Sequence, residues 1–247
     1  MTPFDKCGII ERMEINKLID HTELQPNKPL GRYTELVRES IFHKFHSVCV
    51  SSFHTPLVAN FLHSYVHTDM NLNIAVATTI GFPLGTSSIQ AKVVEMQQAF
   101  NDGATEFDFC INTGLVKTKE WKHIKDEFVT LRNAIPTTEK FHPILKVILE
   151  VGLLEDDEIK RACDIAVAAG LDFVKTSSGF LSKLEPKQTS RYVKLMSDQV
   201  KGSGMLVKAS GGIKTLSDVN LMLENGANRI GTSNGVSIMK EIEENKK

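Results

Sequence analysis

Two apolar runs in this chain each end in a lysine and then turn on small residues. Leu171-Asp-Phe-Val-Lys-Thr-Ser-Ser-Gly179 reads as a buried strand closed by Lys175, and Met205-Leu-Val-Lys-Ala-Ser-Gly-Gly-Ile213 repeats the pattern with Lys208. An amine that closes a buried strand is poorly hydrated, and desolvation lowers its pKa toward the range where the neutral nucleophile exists at pH 7. Alone, either lysine has a plainer reading, a strand end whose ammonium snorkels into water. On neighbouring strands of one barrel the two would lie close together, and a like charge lowers the pKa of the amine that shares its pocket. The pair therefore favours a reactive, Schiff-base lysine over two surface cations.

A carboxylate belongs with them. Thr105-Glu-Phe-Asp-Phe-Cys-Ile111 alternates, with Glu106, Asp108 and Cys110 on one side and Phe107, Phe109 and Ile111 on the other. On a surface strand the acids would simply face water; in a barrel the phenylalanines pack outward and Asp108 turns inward, where it needs cationic partners. Pro143-Ile-Leu-Lys-Val-Ile-Leu-Glu150 reads as another strand, with Lys146 and Glu150 on one side. Small-residue turns follow the later strands: Ser178-Gly179, Ser210-Gly-Gly212 and Gly231-Thr-Ser233. They offer backbone N–H groups with little steric cover, as a phosphate requires, although such glycines also serve simple tight turns.

The elements that must position these residues alternate along the chain. Ile15 to Asp20 suggests a short helix running into a first strand, after a dozen exposed lead-in residues. Helical spacing covers Gly31 to Phe45, then His46-Ser-Val-Cys-Val-Ser51 reads as strand and Thr55-Pro56 as an N-cap and first-turn pair. Leu72 to Ile80 has the uncharged character of a strand buried on both faces and ends in the Gly81-Phe-Pro-Leu-Gly85 loop. Helices are predicted over Ser87 to Asp102, with Val93, Val94, Met96, Gln97 and Phe100 grouped on the wheel, over Lys119 to Asn133 and over Asp156 to Ala169. Two more are predicted around Thr189 to Val200 and over Leu216 to Glu224, and the last strand is Asn228-Arg-Ile-Gly231. Gly103, Gly170 and Gly226 each stop a helix before a strand. About eight βα units in 247 residues predict a single-domain (β/α)8 TIM barrel over 1–247, with a short N-terminal helical lead-in. No G-x-G-x-x-G follows the first strand, which argues against an open dinucleotide-binding sheet. The chemistry is then expected at the C-terminal strand ends, where Asp108, Lys146, Lys175 and Lys208 converge.

With 29 basic and 30 acidic side chains and a formal charge of −1, the chain has no electrostatic footprint for nucleic acid or anionic membrane. Breakers within Met70 to Ala91, its longest uncharged run, argue against a membrane span, and the first residues lack the features of a secretory signal. Cys7, Cys49, Cys110 and Cys163 are widely spaced and read as reduced thiols of a cytoplasmic protein. His63 and His67 are the one histidine pair at metal-ligand spacing and lack a third ligand nearby, so no metal is expected. A small-molecule partner is favoured. Assembly is open, with a homodimer or homotetramer admitted.

The chain resembles the deoxyribose-phosphate aldolase family along nearly its whole length. The resemblance is carried by Leu18-Ile-Asp-His-Thr22, Ser47-Val-Cys-Val50, Gly81-Phe-Pro-Leu-Gly85, Glu106-Phe-Asp108, Leu145-Lys-Val-Ile-Leu-Glu150, Phe173-Val-Lys-Thr-Ser-Ser-Gly-Phe180, Val207-Lys-Ala-Ser-Gly-Gly-Ile213 and Arg229-Ile-Gly-Thr-Ser233, in that order. It implies a class I aldolase in deoxyribose phosphate catabolism. Lys175 would form an imine with 2-deoxy-D-ribose 5-phosphate, Lys208 would keep that amine's pKa low, and Asp108 with a water would shuttle protons. Cleavage would give D-glyceraldehyde 3-phosphate and acetaldehyde without metal or cofactor. The resemblance implies a substrate-facing set of Asp20, Thr22, Cys49, Lys146, Thr176, Gly179, Gly211, Gly212, Gly231, Thr232 and Ser233.

Three positions depart from the family pattern: Ser178 and Val151 stand where threonine is usual, and Asn234 where serine is common. Cys49 and Cys110 read as small core residues; a cysteine at the Cys49 position lines the site in relatives and offers a thiol to aldehyde by-products. Asp20 and Thr22 either hold a substrate hydroxyl or water, or cap a turn. Two rival functions remain: another Schiff-base lyase or transaldolase-like enzyme with a different acid, and a non-catalytic sensor of a phosphorylated metabolite. Substrate breadth separates the first. The joint presence of Asp108, Lys175 and Lys208 speaks against the second, because a binder has no use for a depressed lysine pKa.

Overall fold

The structure, a computed structural model, describes residues 14–66, 73–139 and 141–245. The N-terminal lead-in expected before Ile15, with Cys7, lies outside the described residues, as do Leu72 and His67.

Eight strands pair in chain order, all parallel, and close into a barrel: β1 Ile19–Glu23, β2 Ser47–Ser51, β3 Ala75–Ile80, β4 Glu106–Cys110, β5 Ile144–Ile148, β6 Phe173–Lys175, β7 Leu206–Ser210 and β8 Arg229–Thr232. β8 closes on β1 with Asp20 opposite Gly231. The helices are α1 Leu30–His43, α2 Thr55–Val66, α3 Ile89–Asn101, α4 Thr113–Lys117, α5 Trp121–Arg132, α6 Asp156–Ala168, α7 Pro186–Gln199, α8 Leu216–Glu224 and α9 Gly235–Glu244. The expected (β/α)8 barrel is the observed fold.

Alternation on β4 does what its sequence dictates. Phe107 and Phe109 are buried between barrel and helices, with Phe109 edge-on to Phe128 of α5 at 5.4 Å, and the carboxylates point inward. A second apolar cluster joins Tyr33, Leu36 and Val37 of α1 to Val48, Val50 and Val76 of the sheet. Gly103, Gly170 and Gly226 all adopt positive φ, the left-handed geometry that ends a helix without a Cβ penalty.

Several local expectations are corrected. Thr55 is helical rather than an extended N-cap, because a 3₁₀ turn, Ser52–His54, already leads the chain into α2; its hydroxyl donates to Thr78 Oγ1 at 3.1 Å instead. On α3, Val94 is exposed and Lys92 takes the buried place, its ammonium paired with Glu127 of α5 and donating to the Cys110 carbonyl. The helix predicted over Lys119 to Asn133 is α5, and a short helix that was not expected, α4, precedes it, the two separated where Lys119 takes φ +61°. Glu150 leaves β5 altogether: it sits at φ +55°, so strand alternation no longer governs it. α7 begins earlier than predicted, at Pro186 with a Glu185 capping box, and α9 follows β8 where no helix was expected.

Candidate active site

The closed barrel gathers the charges that the sequence spreads over six strands. Lys175 and Lys208 are opposite one another in the β6–β7 register, and Asp108 and Lys146 are opposite in β4–β5. Asp108 is the hub. Its Oδ2 accepts from Lys175 Nζ and Lys208 Nζ, each at 2.7 Å, and its Oδ1 accepts from Lys146 Nζ at 2.7 Å. Lys208 also meets Asp20 at 2.5 Å; Lys146 meets Glu106 at 2.5 Å; Arg229 donates to Asp20 at 2.9 Å and Glu106 at 3.3 Å.

Burial and pairing pull against each other here, and pairing wins. Burial would push the Asp108 carboxyl up, yet the three ammonium groups of Lys146, Lys175 and Lys208 hold it far below the usual carboxylate range. Asp20 behaves likewise, with Lys208, Arg229 and Lys146 outweighing burial. Glu106 falls to about 2 through Lys146, the His46 hydrogen bond and Arg229, again against burial. Burial would strip Lys208 of its proton, but Asp108 and Asp20 reverse that and raise its pKa; Asp108 and Glu106 do the same for Lys146. Lys208 and Lys146 are thus lasting cations, and Asp108 a lasting anion.

Lys175 differs from its neighbours in what lies beyond it. It is one wall of a cleft of about 190 Å³ at the C-terminal end of the barrel, which Thr22, Gly179, Gly211, Gly212, Gly231, Thr232 and Ser233 also line. The structure therefore brings those seven predicted residues together around Lys175. Asp20, Cys49, Lys146 and Thr176 are not among the lining residues. Asp20 and Lys146 are consumed by the ion pairs, and the Thr176 hydroxyl donates to the Ser210 carbonyl and accepts from its N–H, tying β6 to β7. Cys49, expected to line the site, is fully buried and burial raises its thiol pKa. Thr22 spends its hydroxyl on the Asp20 carbonyl, and Thr232 spends its own on the Ile213 carbonyl.

Sequence reasoning missed several residues at this rim. Lys214 lines the cleft and follows directly on the Ser210-Gly-Gly-Ile213 turn, a position that marks it in hindsight. The α9 N-terminus, at Asn234 and Gly235, adds helix N–H groups beside Ser233; its signal was the Gly235 onset of an apolar-periodic tail. Glu150 accepts from Ser178 N–H at 2.9 Å and Ser182 Oγ at 2.5 Å, clamping the loop that follows Lys175. Phe82, from the loop after β3, stands edge-on to Phe180 of that same loop at 5.2 Å.

Asp20, His46 and Glu106 bring donor atoms within 4.8 Å of one another, a spacing a metal could use. Their carboxylate oxygens already hold Arg229, Lys208 and Lys146, so an entering ion would have to displace protein cations. A larger groove, about 650 Å³, opens on the N-terminal face, at the far end of the barrel from Lys175. Among the described residues no helix is long and apolar enough to cross a membrane.

A parallel eight-stranded barrel with a lysine pair on a shared carboxylate, opening into a small glycine-rich cleft, is the framework of a barrel aldolase. Residues 3–242 match the model of the DeoC/LacD family aldolases, and the chain belongs to that family. It is 42% identical to the deoxyribose-phosphate aldolase of Finegoldia magna over 92% of this chain and 100% of the relative, and 39% identical to that of Lactococcus lactis over 94% and 99%. Among solved structures it superposes on the deoxyribose phosphate aldolase of Aeropyrum pernix, reported as a unique tetramer, with TM-score 0.81 and 28% identity over 98% and 99% of the two chains.

Proposed function

We propose that this aldolase reversibly cleaves 2-deoxy-D-ribose 5-phosphate to D-glyceraldehyde 3-phosphate and acetaldehyde through a Schiff base on Lys175. The observation that carries the reading is the shared Asp108 Oδ2, 2.7 Å from both Lys175 and Lys208, with Lys175 alone of the three lysines lining the cleft. The barrel interior sets Lys146, Lys175, Lys208 and Arg229 against Asp20, Glu106 and Asp108. A neutral amine at Lys175 leaves three cations facing three carboxylates, so the nucleophile forms without stranding a buried charge.

The neutral Lys175 amine adds to the substrate's C1 carbonyl, and loss of water gives the protonated imine. As the C3 hydroxyl loses its proton, the C2–C3 bond breaks and its electron pair moves into the imine, leaving an enamine and releasing D-glyceraldehyde 3-phosphate. Protonation at C2 and hydrolysis return acetaldehyde and the amine. Asp108, ionised, orders the water that carries these protons, while Lys208 keeps Asp108 compensated whichever state Lys175 is in. The phosphate belongs at Gly179, Gly211, Gly212, Gly231 and Ser233, with Lys214 and the α9 N-terminus supplying positive potential. A cleft of about 190 Å³ suits a small metabolite.

The reading extends to a single-domain, cytoplasmic catabolic enzyme acting as a dimer or tetramer; unpaired thiols at Cys49, Cys110 and Cys163 and the tetrameric Aeropyrum pernix relative support it. The test is to incubate the protein with 2-deoxyribose 5-phosphate, reduce with borohydride and map the adduct by mass spectrometry. The adduct is expected at Lys175 and absent from Lys175→Ala; correctly folded protein that gives none rejects the reading.

A further inference from the structure

The buried charges do not stop beneath the cleft. His46, just before β2, is about one-third exposed (32%) at the N-terminal end of the barrel, and its Nε2 lies 2.8 Å from Glu106 Oε1. Glu106 Oε2 meets Lys146, Lys146 meets Asp108 and Asp108 meets Lys175, at 2.5, 2.7 and 2.7 Å. A second route runs from Glu106 through Arg229 and Asp20 to Lys208. The cleavage mechanism uses neither His46 nor Glu106, yet both routes join a solvent-reaching imidazole at one end of the barrel to the amine at the other.

We infer that His46 is a positioning residue for the imine chemistry, acting on Lys175 through Glu106 and Lys146. This rests on the reading of Lys175 as the nucleophile. Lys146 is divided between two carboxylates, Glu106 and Asp108. A protonated His46 compensates Glu106 and leaves more of the Lys146 charge to Asp108, so Asp108 holds the Lys175 ammonium less tightly and the neutral amine forms more readily. A neutral His46 leaves Glu106 dependent on Lys146, and Asp108 turns to Lys175 instead. The charged groups facing His46 are Glu106 from β4 and Asp20 from β1, with Lys146 from β5 and Arg229 from β8 directly behind them. All four are buried, so the coupling is weakly screened. Histidine is suited to such a part because its charge changes between about pH 5 and 8.

The test is His46→Gln, which keeps a hydrogen-bond donor for Glu106 and removes the titrating charge. The acid limb of the kcat/KM–pH profile is expected to move to higher pH by about half a unit, which is about 3-fold in rate at a fixed pH on that limb. A limb that stays in place, whether rates fall uniformly or not at all, overturns the inference. A second measurement needs no turnover. Linkage is reciprocal, so removing the Lys175 charge by Lys175→Met should raise the pKa of the His46 ring, read by proton NMR with His46→Gln as the assignment control. A ring titration that does not move also overturns it. Failure of the borohydride adduct would instead sink the reading of Lys175 as the Schiff-base nucleophile, while the NMR shift would still report the coupling.

Discussion

Lys175 and Lys208 face each other across the β6–β7 register, and their ammonium nitrogens converge on a single oxygen, Asp108 Oδ2, at 2.7 Å each. Two like charges share one counter-charge, so the state of either lysine is felt by the other through Asp108. Lys146 holds the second oxygen of the same carboxylate.

Asp108→Asn is therefore expected to do two kinds of damage. Removing the anion leaves Lys146 and Lys208 buried without their common partner, at a cost of about 3–5 kcal/mol. It also removes the group that organises proton transfer, lowering kcat by roughly 10²–10⁴-fold. Urea denaturation and steady-state kinetics on the same preparation read both; a variant of near wild-type activity would remove Asp108 from the mechanism.

Gly231 shows how closely the backbone approaches this centre. A Cβ there would lie 2.3 Å from Ser210 Oγ and 3.1 Å from Lys208 Cε. Gly231→Ala should destabilise the fold by only about 1–3 kcal/mol while displacing Lys208, so kcat falls well beyond what lost folding explains. Equal kcat in folded protein would show that Lys208 tolerates the shift.

Acid stability follows from the depressed carboxylates. Glu106 goes from an ordinary value of 4.5 to about 2 in the fold, so its contribution is fully present above about pH 4.5 and is lost as pH falls toward 2. Asp20 and Asp108 are depressed in the same direction. The urea midpoint should decline across this window, and Glu106→Gln should be less stable at pH 7 with a shallower decline. A variant whose midpoint falls as steeply as the parent's would contradict the assignment.

Away from the cleft, Lys92 and Glu127 form a fully buried pair between α3 and α5, and burial outweighs Lys92 to raise the Glu127 carboxyl. Lys92→Met should cost about 3–5 kcal/mol, because Glu127 is left buried and unpaired, and the double variant with Glu127→Leu should recover most of it. Additive losses in thermal melts would disprove that coupling.

Cys49 is fully buried with a raised thiol pKa, so acetaldehyde or iodoacetamide should label it only after unfolding. Peptide mapping of native and denatured samples compares the two directly.

What the sequence determined is local and periodic. Alternation through Glu106, Phe107, Asp108 and Phe109 sets which side chains share a face, because a strand repeats every two residues. Repeated βα units with a glycine stop at Gly103, Gly170 and Gly226 demand a parallel barrel, and that architecture alone sends Lys175 and the Gly211-Gly212 turn to one rim. Periodicity carries no information where a neighbour distant in sequence decides. Asp108 meets Lys146, Lys175 and Lys208 across 38, 67 and 100 positions, and closure of the barrel chose those partners. Lys92 is missing from the face predicted for its helix because helical spacing does not show that Glu127, 35 residues on, will pair with it. Glu150 reads as a strand residue because its left-handed backbone is imposed by the loop it clamps. Tertiary structure alone joined His46 to Glu106, 60 residues apart, since only the closed barrel excludes the water that would otherwise keep those charges independent.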